Sequence, residues 1–470
     1  MMFVDGVWRA ASERQSHPVV NPANGDVIDT IPLSTLDDCS AAVDAAVSAF
    51  DAWSQTAPRD RSDLLYEAWR SLTARTEELA ELIVAENGKT MDDASAEVVY
   101  ALDFLRWFAE EAVRIRGDYR RAPRGDKRII VDRVPVGPAL LITPWNYPAA
   151  MITRKLGPAL AAGCTTIIKP ALETPLTARE IVRTFDELGA PKGVINLVTP
   201  SNAGPAVDRM LETGEIRKLS FTGSTVVGRI LLRASAEHVV KTSMELGGNA
   251  PFLVLESASI DEAVEGAIQA KLRNGGAACT AANRLYVHRS LVSEFADRLS
   301  ARVSSFRVGS GDDRTSTVGA LVSAAEVHKI RDLIARGKGQ GARVVFESEI
   351  PEQGAFMNIT VLKGIESDNV LTQQEIFGPV FPIVEFDDEE EAVRLANMTE
   401  YGLVAYVFGS EVDAMRVGHR LKVGMVGVNR GVVSDAAAPF GGVKESGIGR
   451  EGSFEGLDEY LQVKYLAVSG

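Results

Sequence analysis

The chain has few cysteines and no long apolar run. Cys39, Cys164 and Cys279 are the only cysteines among 470 residues. Such an odd, sparse set supplies no disulfide framework and indicates a reducing compartment. The N-terminus lacks a basic segment followed by an apolar one, so we predict no signal peptide. The most apolar stretches, such as 136–143, are much shorter than the ~18 residues that a membrane-spanning helix needs. We therefore expect a cytoplasmic protein with no membrane partner.

Basic residues are also in deficit. The formal net charge is -14, and because nucleic-acid binders usually carry a basic face, this balance argues against a polyanionic partner. The chain contains no internal repeat and no low-complexity segment. A hydrophobic fraction of 46% with 24% charged residues is ordinary for a globular protein. The length suggests about three folded units, and we predict no metal site.

Helical periodicity dominates the first third of the chain. Apolar residues at helical spacing predict a helix over 36–53, with Asp37 or Asp38 as its cap. Two further amphipathic helices are predicted over 61–87 and 91–115, with Gly88 and Gly117 as their stops.

Strand patterns dominate the rest of the chain. Two short β-rich arms around Arg124-Gly125-Asp126 predict a hairpin within 120–136. Beyond it, apolar strands alternate with helices, which is typical of βαβ units in a doubly wound sheet. The strands are predicted at 139–143, 165–169, 194–198, 218–222, 251–255, 284–288, 404–408 and 425–429, and the helices at 148–162, 176–189 and 203–213. The last segment, 460–466, alternates like an edge strand. This strand and the hairpin would expose unpaired edges in a monomer, so we expect an oligomer.

Cys279 is the strongest candidate for a catalytic residue. It follows a glycine pair in the segment RNGGAACT (273–280), and glycine allows a sharp turn that exposes the thiol. A thiolate is a strong nucleophile, and backbone N–H groups or positive charge around it lower its pKa. Cys39 and Cys164 are instead expected to be buried as small hydrophobic residues, which is the commoner use of cysteine.

Two segments supply polar partners for such a nucleophile. Glu245 precedes a glycine pair in ELGGN (245–249), where little would cover it, and its carboxylate is a candidate general base. The alternative is a solvated surface glutamate. Asn146 follows a predicted strand in TPWNYP (143–148), and its amide is a candidate donor to an oxyanion. The alternative is a residue that caps the following helix.

A phosphate site is suggested by FTGSTVVG (221–228). A strand, a glycine turn and a helix start offer backbone N–H groups and a helix dipole to a phosphate. The motif is not GxGxxG and is weak evidence by itself. Lys169, at the end of another predicted strand, supplies a cation for a ribose or phosphate, or is simply a lysine on a surface loop.

Taken together, these segments closely resemble the aldehyde dehydrogenase superfamily. The matching stretches occur in the family's order across residues 140–451: TPWNYP, IIKPALETP, FTGSTVVG, ELGGN, GGAACTAANR, EIFGP (375–379) and PFGGVKESGIGRE (439–451). The resemblance implies an α/β fold with a Rossmann-like cofactor domain, an α/β catalytic domain and a small β oligomerisation element. The implied boundaries are 1–117 and 137–246 for the cofactor domain, 247–440 for the catalytic domain, and 118–136 with 455–470 for the oligomerisation element. It also implies a homodimer or homotetramer.

The resemblance implies a mechanism as well. Cys279 attacks the aldehyde, Asn146 and the Cys279 backbone N–H hold the oxyanion, and Glu245 activates the water that releases the acid. Glu375 would hold the nicotinamide ribose, although its segment could also be an ordinary turn. The residues that match the family's cofactor contacts are Trp145, Lys169, Leu172, Gly223, Ser224, Leu246, Glu375 and Phe377. Because Glu245 is present, hydrolysis is favoured over transfer to coenzyme A.

Within the family, the chain is most similar to succinate-semialdehyde dehydrogenases. The similarity lies in the segments 151–164, 270–276 and 429–442. It implies that Arg154, Arg273 and Ser434 bind the substrate's distal carboxylate, and a guanidinium suits that role because it binds a carboxylate in bidentate fashion. The alternative is that both arginines are helix-surface charges.

Two positions depart from family patterns. Ala281 occupies the place of a second cysteine that forms a redox switch in some relatives, so no such intrachain switch is possible. Leu172 occupies the place where many NAD-using members carry a glutamate for the adenosine ribose, and Glu173 follows it. Loss of that carboxylate removes repulsion against a 2′-phosphate and a hydrogen bond to NAD, which favours NADP over NAD. The alternatives are use of both cofactors, or a Glu173 side chain that takes the place of the missing carboxylate and restores the preference for NAD.

Several functions remain open from the sequence. The preferred one is NAD(P)-dependent oxidation of succinate semialdehyde to succinate. The same enzyme class allows glutarate semialdehyde as substrate, or a broad range of aldehydes. A catalytically silent relative that serves as a binding or structural protein, and an esterase acting through Cys279, are alternatives of other classes.

Overall fold

The structure, a computed structural model, describes residues 1–13 and 15–469. Arg14, within the predicted segment 1–117, and Gly470, within the predicted segment 455–470, lie outside the described residues. The described chain forms one eight-stranded, one seven-stranded, one three-stranded and one two-stranded sheet, with helices packed against the two large sheets. The predicted α/β class is confirmed.

The strands are short, and most of those in the two large sheets are buried. In chain order they are β1 (Met2–Val4), β2 (Val7–Arg9), β3 (Ser16–Val20), β4 (Val27–Pro32), β5 (Asp118–Arg121), β6 (Lys127–Pro135), β7 (Ala139–Ile142), β8 (Thr166–Lys169), β9 (Ile195–Leu197), β10 (Lys218–Thr222), β11 (Lys241–Glu245), β12 (Ala250–Val254), β13 (Ala282–His288), β14 (Arg343–Glu347), β15 (Thr360–Lys363), β16 (Val380–Phe386), β17 (Val404–Phe408), β18 (Met425–Val428), β19 (Gly447–Ile448) and β20 (Leu461–Ser469).

The α-helices are amphipathic, except for the buried α5. In chain order they are α1 (Leu36–Ser54), α2 (Pro58–Thr73), α3 (Thr76–Asn87), α4 (Met91–Ala112), α5 (Ala150–Ala162), α6 (Leu176–Glu187), α7 (Ala203–Glu212), α8 (Thr225–Ala236), α9 (Ile260–Leu272), α10 (Val292–Val303), α11 (Ala324–Gly339), α12 (Val370–Gln373), α13 (Glu389–Asn397), α14 (Glu411–Gly418) and α15 (Ser453–Asp458). Every residue of α5 is buried, so this helix runs through the core. Its charged residues, Arg154 and Lys155, are therefore inside the protein. None of the helices in the described part of the chain has the length and apolar character needed to cross a bilayer.

The eight-stranded sheet gathers the ends of several predicted functional segments. Its order is β19-β11-β10-β7-β8-β9-β1-β2, and the strands from β11 to β9 are parallel. In the register, Thr222 pairs with Glu245 and Ile142 pairs with Lys169. Because the carboxyl ends of parallel strands meet at one edge, the segments after β7, β8, β10 and β11 share that edge.

The seven-stranded sheet begins immediately after the ELGGN segment. Its order is β14-β15-β16-β13-β12-β17-β18, with only β14 antiparallel to its neighbour. Residues 246–249 connect β11 of the first sheet to β12 of the second. The loop that contains Cys279 leads directly into β13, which pairs with β12. Both segments therefore lie where the two sheets meet.

The hairpin and the terminal strand form a sheet of their own. Its order is β20-β6-β5, and β20 pairs with β6 along its whole length, from Leu461 with Pro135 to Ser469 with Lys127. The sequence had suggested that both elements would expose free edges. This prediction is wrong for the edge between β20 and β6, because these two strands pair with each other within one chain. Only the outer edges of β20 and β5 remain open.

The structure of the N-terminal region departs from the predicted run of helices in three ways. Four strands, β1 to β4, precede the first helix, and β3 pairs only with β4. The predicted helix over 61–87 is two helices, because Arg75 leaves the helical conformation and its guanidinium pairs with Glu78 and Glu180. The cap of α1 is Thr35, whose side chain accepts from the backbone N–H of Asp38, while the Asp38 carboxylate accepts from the Thr35 backbone N–H.

Candidate active site

Cys279 lies on a loop formed by tight backbone turns. Helix α9 gives way to a 3₁₀ turn over Arg273–Gly276, in which Asn274 has a left-handed φ of 53°. Asparagine tolerates this conformation better than most residues do. The Cys279 side chain is partly exposed, whereas Cys39 and Cys164 are buried. The structure confirms the prediction that this turn presents one cysteine while the other two are packed inside.

Two glycines allow distant segments to reach this loop. A Cβ atom on Gly248 would lie 2.5 Å from the carbonyl oxygen of Cys279, and one on Gly276 would lie 2.3 Å from the carbonyl oxygen of Gly378. Any larger residue at either position would push the two backbones apart. The close approach explains why the ELGGN, RNGGAACT and EIFGP segments, which are far apart in sequence, share one site.

Asn146 is buried just after β7. Its Nδ2 donates to the carbonyl oxygen of Ala277 across 3.0 Å, and Asn274 Nδ2 donates to the same oxygen. The second N–H of the Asn146 amide and the backbone N–H of Cys279 have no acceptor within the described chain. Both are free to donate to an oxyanion beside the thiol. The helix-capping alternative is wrong, since Ala149 caps α5 and no side chain bonds there.

A buried ion pair behind Asn146 was not predicted. Lys89 and Glu97 are in contact, and both side chains are fully buried. Lys89 Nζ also donates to the backbone oxygen of Asn146 at 2.9 Å and lies 4.3 Å from the ring centre of Tyr147. Glu97 accepts from the backbone N–H of Ala149 at 2.9 Å. The pair therefore supports the Asn146 segment from its buried side. The local sequence does not distinguish these two charges from solvated ones.

Glu245 ends β11 in a closed environment. Its side chain is 2% exposed. The sequence had suggested that little would cover Glu245, or that it was a solvated surface glutamate, and both expectations are wrong. Neither carboxylate oxygen has a hydrogen-bond partner within the described residues. Burial and the neighbouring Glu451 raise the pKa of Glu245 well above its usual value. A glutamate with a raised pKa can exchange a proton near neutral pH, as a general base must.

The Cys279 thiol is not activated in advance, contrary to the sequence-based expectation. Burial raises the pKa of Cys279 to about 12, Glu245 and Glu375 act in the same direction, and Arg154 opposes them only in part. The thiolate must therefore form as the reaction begins, with a base to take its proton. Glu245 is a buried carboxylate whose charge already acts on this thiol.

Arg154 and Lys155 project from α5 and share one carboxylate. Arg154 Nε lies 2.5 Å from Glu451 Oε2, and Lys155 Nζ lies 2.5 Å from Glu451 Oε1. Burial acts to raise the pKa of Glu451, but the two cations hold it below its usual value. Arg154 is 1% exposed, so the alternative of a helix-surface charge is wrong. Part of its charge is already neutralised by Glu451.

Arg154, Arg273 and Ser434 all act on one further side chain, Tyr100. Arg273 lies beyond the end of α9, half-buried, so it is not a helix-surface charge either. It forms no salt bridge within residues 1–13 and 15–469. The hydroxyl of Tyr100, which the sequence did not single out, faces both arginines and Ser434. This hydroxyl is buried without a hydrogen-bond partner among the described groups. The four side chains form a group rich in donors.

A cleft of about 220 Å³ opens beside Cys279 and Asn146. It is lined by most of the predicted cofactor residues: Trp145, Gly223, Ser224, Leu246, Glu375 and Phe377. The rings of Trp145 and Phe377 meet edge to face with centres 5.4 Å apart. Glu375 Oε1 accepts from the backbone N–H of Gly248 at 3.2 Å, and burial raises the pKa of Glu375 to about 7. Glu375 thus lies against the ELGGN glycines, and its segment is not an ordinary surface turn.

Lys169 and Leu172 do not line this cleft. Lys169 ends β8 and is 8% exposed, so the surface-loop alternative is wrong. Leu172 packs against a small apolar cluster that includes Leu176. Burial lowers the pKa of Lys169, while the exposed Glu173 acts in the opposite direction. Position 172 therefore offers an apolar side chain, and the carboxylate that acts on Lys169 is that of Glu173.

The sequence profile of the aldehyde dehydrogenase family matches residues 8–466. The chain belongs to this family. It is 46% identical to the succinate-semialdehyde dehydrogenase of Paenarthrobacter nicotinovorans, covering 94% of this chain and 98% of the relative. It is 42% identical to the NADP(+) succinate-semialdehyde dehydrogenase of Escherichia coli, covering 99% of this chain and 97% of the relative. The crystal structure of an aldehyde dehydrogenase from Brucella melitensis biovar abortus matches with a TM-score of 0.97 at 41% identity, covering 100% and 97% of the two chains. The fold is that of an aldehyde dehydrogenase, as the sequence predicted.

Two further residues of this aldehyde dehydrogenase line the cleft and were missed in the sequence. Glu326 and Lys329 lie in the first turns of α11, and their side chains form a 3.3 Å ion pair. The segment has the pattern of an ordinary amphipathic helix capped by Ser323. Only the tertiary structure brings this turn beside Glu375.

The cleft of the aldehyde dehydrogenase fits a dinucleotide. Ser224 caps α8, and its Oγ accepts from the backbone N–H of Val227, so the helix N-terminus opens at the Gly223 turn. Free N–H groups and the helix dipole at such a terminus suit a phosphate. Val227 and Ile230 of the same helix are exposed, and their uncovered apolar surface suits the flat adenine ring.

Proposed function

We propose that this aldehyde dehydrogenase oxidises a short aldehyde that carries a distal carboxylate, with succinate semialdehyde as its substrate and NADP⁺ or NAD⁺ as oxidant. The observation that carries the proposal is Arg273, a half-buried guanidinium without a salt bridge in the described chain. It lies beside the unpartnered hydroxyl of Tyr100. A guanidinium binds a carboxylate through two parallel hydrogen bonds, which an uncharged aldehyde cannot accept. The names of the relatives support this substrate.

The first step uses the groups at the nucleophile loop. Glu245 takes the proton of the Cys279 thiol, and the sulfur forms a bond to the aldehyde carbon. The carbonyl oxygen becomes an oxyanion, which accepts hydrogen bonds from the free N–H of the Asn146 amide and the backbone N–H of Cys279. Donors already in place stabilise the developing charge without reorganisation.

The second step releases the acid. A nicotinamide held in the cleft beside Cys279 would supply the hydride acceptor, and Cys279 would then carry the former aldehyde carbon as a thioester. Once Glu245 has passed the thiol proton to solvent, its carboxylate removes a proton from water as the water attacks this thioester. Its burial and raised pKa suit both proton transfers. The thiolate that leaves recovers a proton, and the carboxylic acid departs.

The substrate proposal has a direct kinetic test. We expect kcat/KM for succinate semialdehyde to exceed that for butanal, an uncharged aldehyde of similar length, by about a hundredfold, because the ion pair with Arg273 is lost for butanal. Equal values would contradict the proposal and favour a broad aldehyde scavenger. Glutarate semialdehyde in the same panel tests the longer substrate. Product formation without any nicotinamide would identify an esterase, and no turnover of any aldehyde would indicate a silent relative.

We further propose that NADP⁺ is preferred over NAD⁺. Leu172 is apolar where many NAD-using relatives carry a glutamate, so one carboxylate that would repel a 2′-phosphate is absent, and the exposed Glu173 is the carboxylate that acts on Lys169. Parallel assays with NAD⁺ and NADP⁺ test the preference, and a lower KM for NAD⁺ would contradict it.

Assembly and location also belong to the proposal. The outer edge of β20 remains unpaired, and its exposed side chains include Val463 and Tyr465. A second copy would cover this edge, so we propose a homodimer or homotetramer in which residues 118–136 and 455–470 take part. Light scattering at several concentrations would test it, and a monomer throughout would contradict it. Three free cysteines support a cytoplasmic location.

A further inference from the structure

Tyr100 contributes a hydroxyl to the group of side chains that includes Arg154, Arg273 and Ser434. It does so from α4, a helix that carries none of those three residues. It lies on α4, where its ring packs edge-on against Phe104 with the centres 4.9 Å apart. The ring belongs to the apolar packing between α4 and the core. The hydroxyl extends beyond this packing and reaches Arg154, Arg273 and Ser434. A phenylalanine would supply the same packing, so the packing alone does not explain the hydroxyl.

The hydroxyl is buried and unsatisfied. It has no hydrogen bond of good geometry among the described residues, although the side chains of Arg154 and Ser434 lie within its range and buried polar groups in folded proteins are normally hydrogen-bonded. Burial raises the pKa of Tyr100 above its ordinary value, although the two arginines act against this. The hydroxyl therefore keeps its proton at neutral pH and remains a donor. The two guanidinium groups beside it cannot accept a hydrogen bond, so Ser434 is the acceptor that this group offers the hydroxyl, and a ligand with carboxylate oxygens supplies a stronger one.

The neighbours of the hydroxyl define the chemistry of that acceptor. Arg154 and Arg273 can only donate hydrogen bonds, and Ser434 can donate as well. Arg154 Nε lies 2.5 Å from Glu451 Oε2, and its Nη2 donates to Met151 Sδ at 3.1 Å. Arg273 has no carboxylate partner in the described chain. The Asp93 carboxylate acts on the charge of Arg273 but forms no salt bridge with it in the described chain. A group of donors around such a guanidinium fits a small anion with several acceptor oxygens, as a carboxylate has.

We propose that the Tyr100 hydroxyl donates a hydrogen bond to the distal carboxylate of the substrate and so sets the preference for acidic over uncharged aldehydes. This role rests on the proposed function of the site. Tyr100 differs from Arg273 in that it adds no charge. It adds a directed donor on the α4 side of the carboxylate, where it fixes the orientation of the substrate's far end. The reacting aldehyde lies at the other end, beside Cys279.

The test is the variant Tyr100→Phe, which keeps the ring against Phe104 and removes only the hydroxyl. We expect kcat/KM for succinate semialdehyde to fall about tenfold or more, as for loss of a hydrogen bond to a charged group. The loss should appear mainly in KM, because the far carboxylate is bound equally before and during the chemical step. The values for butanal should stay within about twofold of the parent enzyme or improve, since an unpaired buried hydroxyl is removed.

The controls separate the possible failures. Tyr66→Phe removes the hydroxyl of an exposed tyrosine on α2 and should leave both substrates unaffected. Inhibition by the product succinate gives a second measurement that does not depend on turnover, and its inhibition constant should rise in Tyr100→Phe by the same factor as KM. If the parent enzyme prefers succinate semialdehyde and Tyr100→Phe keeps the full preference, the role of Tyr100 is overturned while the proposed function stands. If the parent enzyme itself shows no preference, the proposed function fails.

Discussion

Asn146 Nδ2 donates to the carbonyl oxygen of Ala277 across 3.0 Å, so the amide proposed to hold the oxyanion is bonded to the loop of the nucleophile. One of its two N–H groups holds the loop, and the other is free for the substrate. Asn274 bonds the same carbonyl oxygen and the Asn146 backbone, which closes a small network around the loop. The two parts of the oxyanion site therefore move together.

Asn146→Ala should lower kcat by about a hundredfold to a thousandfold, the range found when one oxyanion donor is removed. The binding of NADP⁺, measured by fluorescence quenching, should be much less affected, because the cleft keeps its other lining residues. Asn202→Ala is the matched control, since Asn202 is exposed and its side chain forms no cap bond. An Asn146→Ala enzyme with the parent kcat would refute the oxyanion role.

Alkylation of Cys279 by iodoacetamide should accelerate with pH. Burial raises the pKa of Cys279 to about 12, so the thiolate fraction is small at neutral pH and grows roughly tenfold for each pH unit. The rate is measured by mass spectrometry in the absence of cofactor. Cys279→Ala should show almost no labelling, because Cys39 and Cys164 are fully buried and closed to the reagent, whereas Cys279 is partly exposed. A rate that does not change with pH would mean that the thiolate is already formed.

Glu245→Gln should lower kcat by about a hundredfold to ten-thousandfold, as expected for loss of a general base. In the parent enzyme, turnover should rise with pH through the raised pKa of Glu245, because only the carboxylate can accept a proton. The variant should lose this rise. Intact-mass measurements after mixing with substrate and NADP⁺ detect any acyl adduct on Cys279. Parent-like turnover in the variant would exclude Glu245 as the base.

Lys89→Met should destabilise the protein by about 3–5 kcal/mol, because it leaves the Glu97 carboxylate buried without its partner. Adding Glu97→Gln to the same chain should restore part of this loss, since no uncompensated charge remains. Both are measured as the midpoint of urea unfolding. Lys338→Met, at an exposed position of α11, is the matched control and should cost little. Equal midpoints for Lys89→Met and the control would contradict a structural role for the pair.

Leu172→Glu should move cofactor preference toward NAD⁺ by about tenfold or more, because a carboxylate there would repel a 2′-phosphate and could bond a ribose hydroxyl. The ratio of kcat/KM values for NAD⁺ and NADP⁺ measures the change. Glu173→Gln tests the neighbouring exposed carboxylate. A large shift in Glu173→Gln with none in Leu172→Glu would show that Glu173, not position 172, governs the preference.

Strand and helix positions were largely readable from periodicity. The strands from β7 to β10 and the helices from α5 to α7 occur within a few residues of their predicted places, because buried strands and amphipathic helices leave strong local patterns. The break at Arg75 was not readable, since it depends on an ion pair with Glu180 from another helix. The strands β1 and β2 were missed because short strands at a sheet edge carry little pattern.

The site residues divide in the same way. Cys279, Glu245 and Asn146 stand in motifs whose residue types already indicate their chemistry. Their environments were misjudged where they depend on burial: Glu245 is enclosed, and the Cys279 thiol has a raised pKa. Lys89 and Tyr100 lie in ordinary helical segments, so nothing local marks them.

The sequence by itself therefore determined the family, the alternation of strands and helices from β7 to β10, and the chemical groups available for catalysis. These follow from residue types and spacings along the chain. Only the tertiary structure decided which charges are paired and which are free. Arg154 is paired with Glu451 and Arg273 has no such partner, yet both are simply arginines in the sequence. The reason is that pKa, pairing and burial depend on distances between residues far apart in the chain.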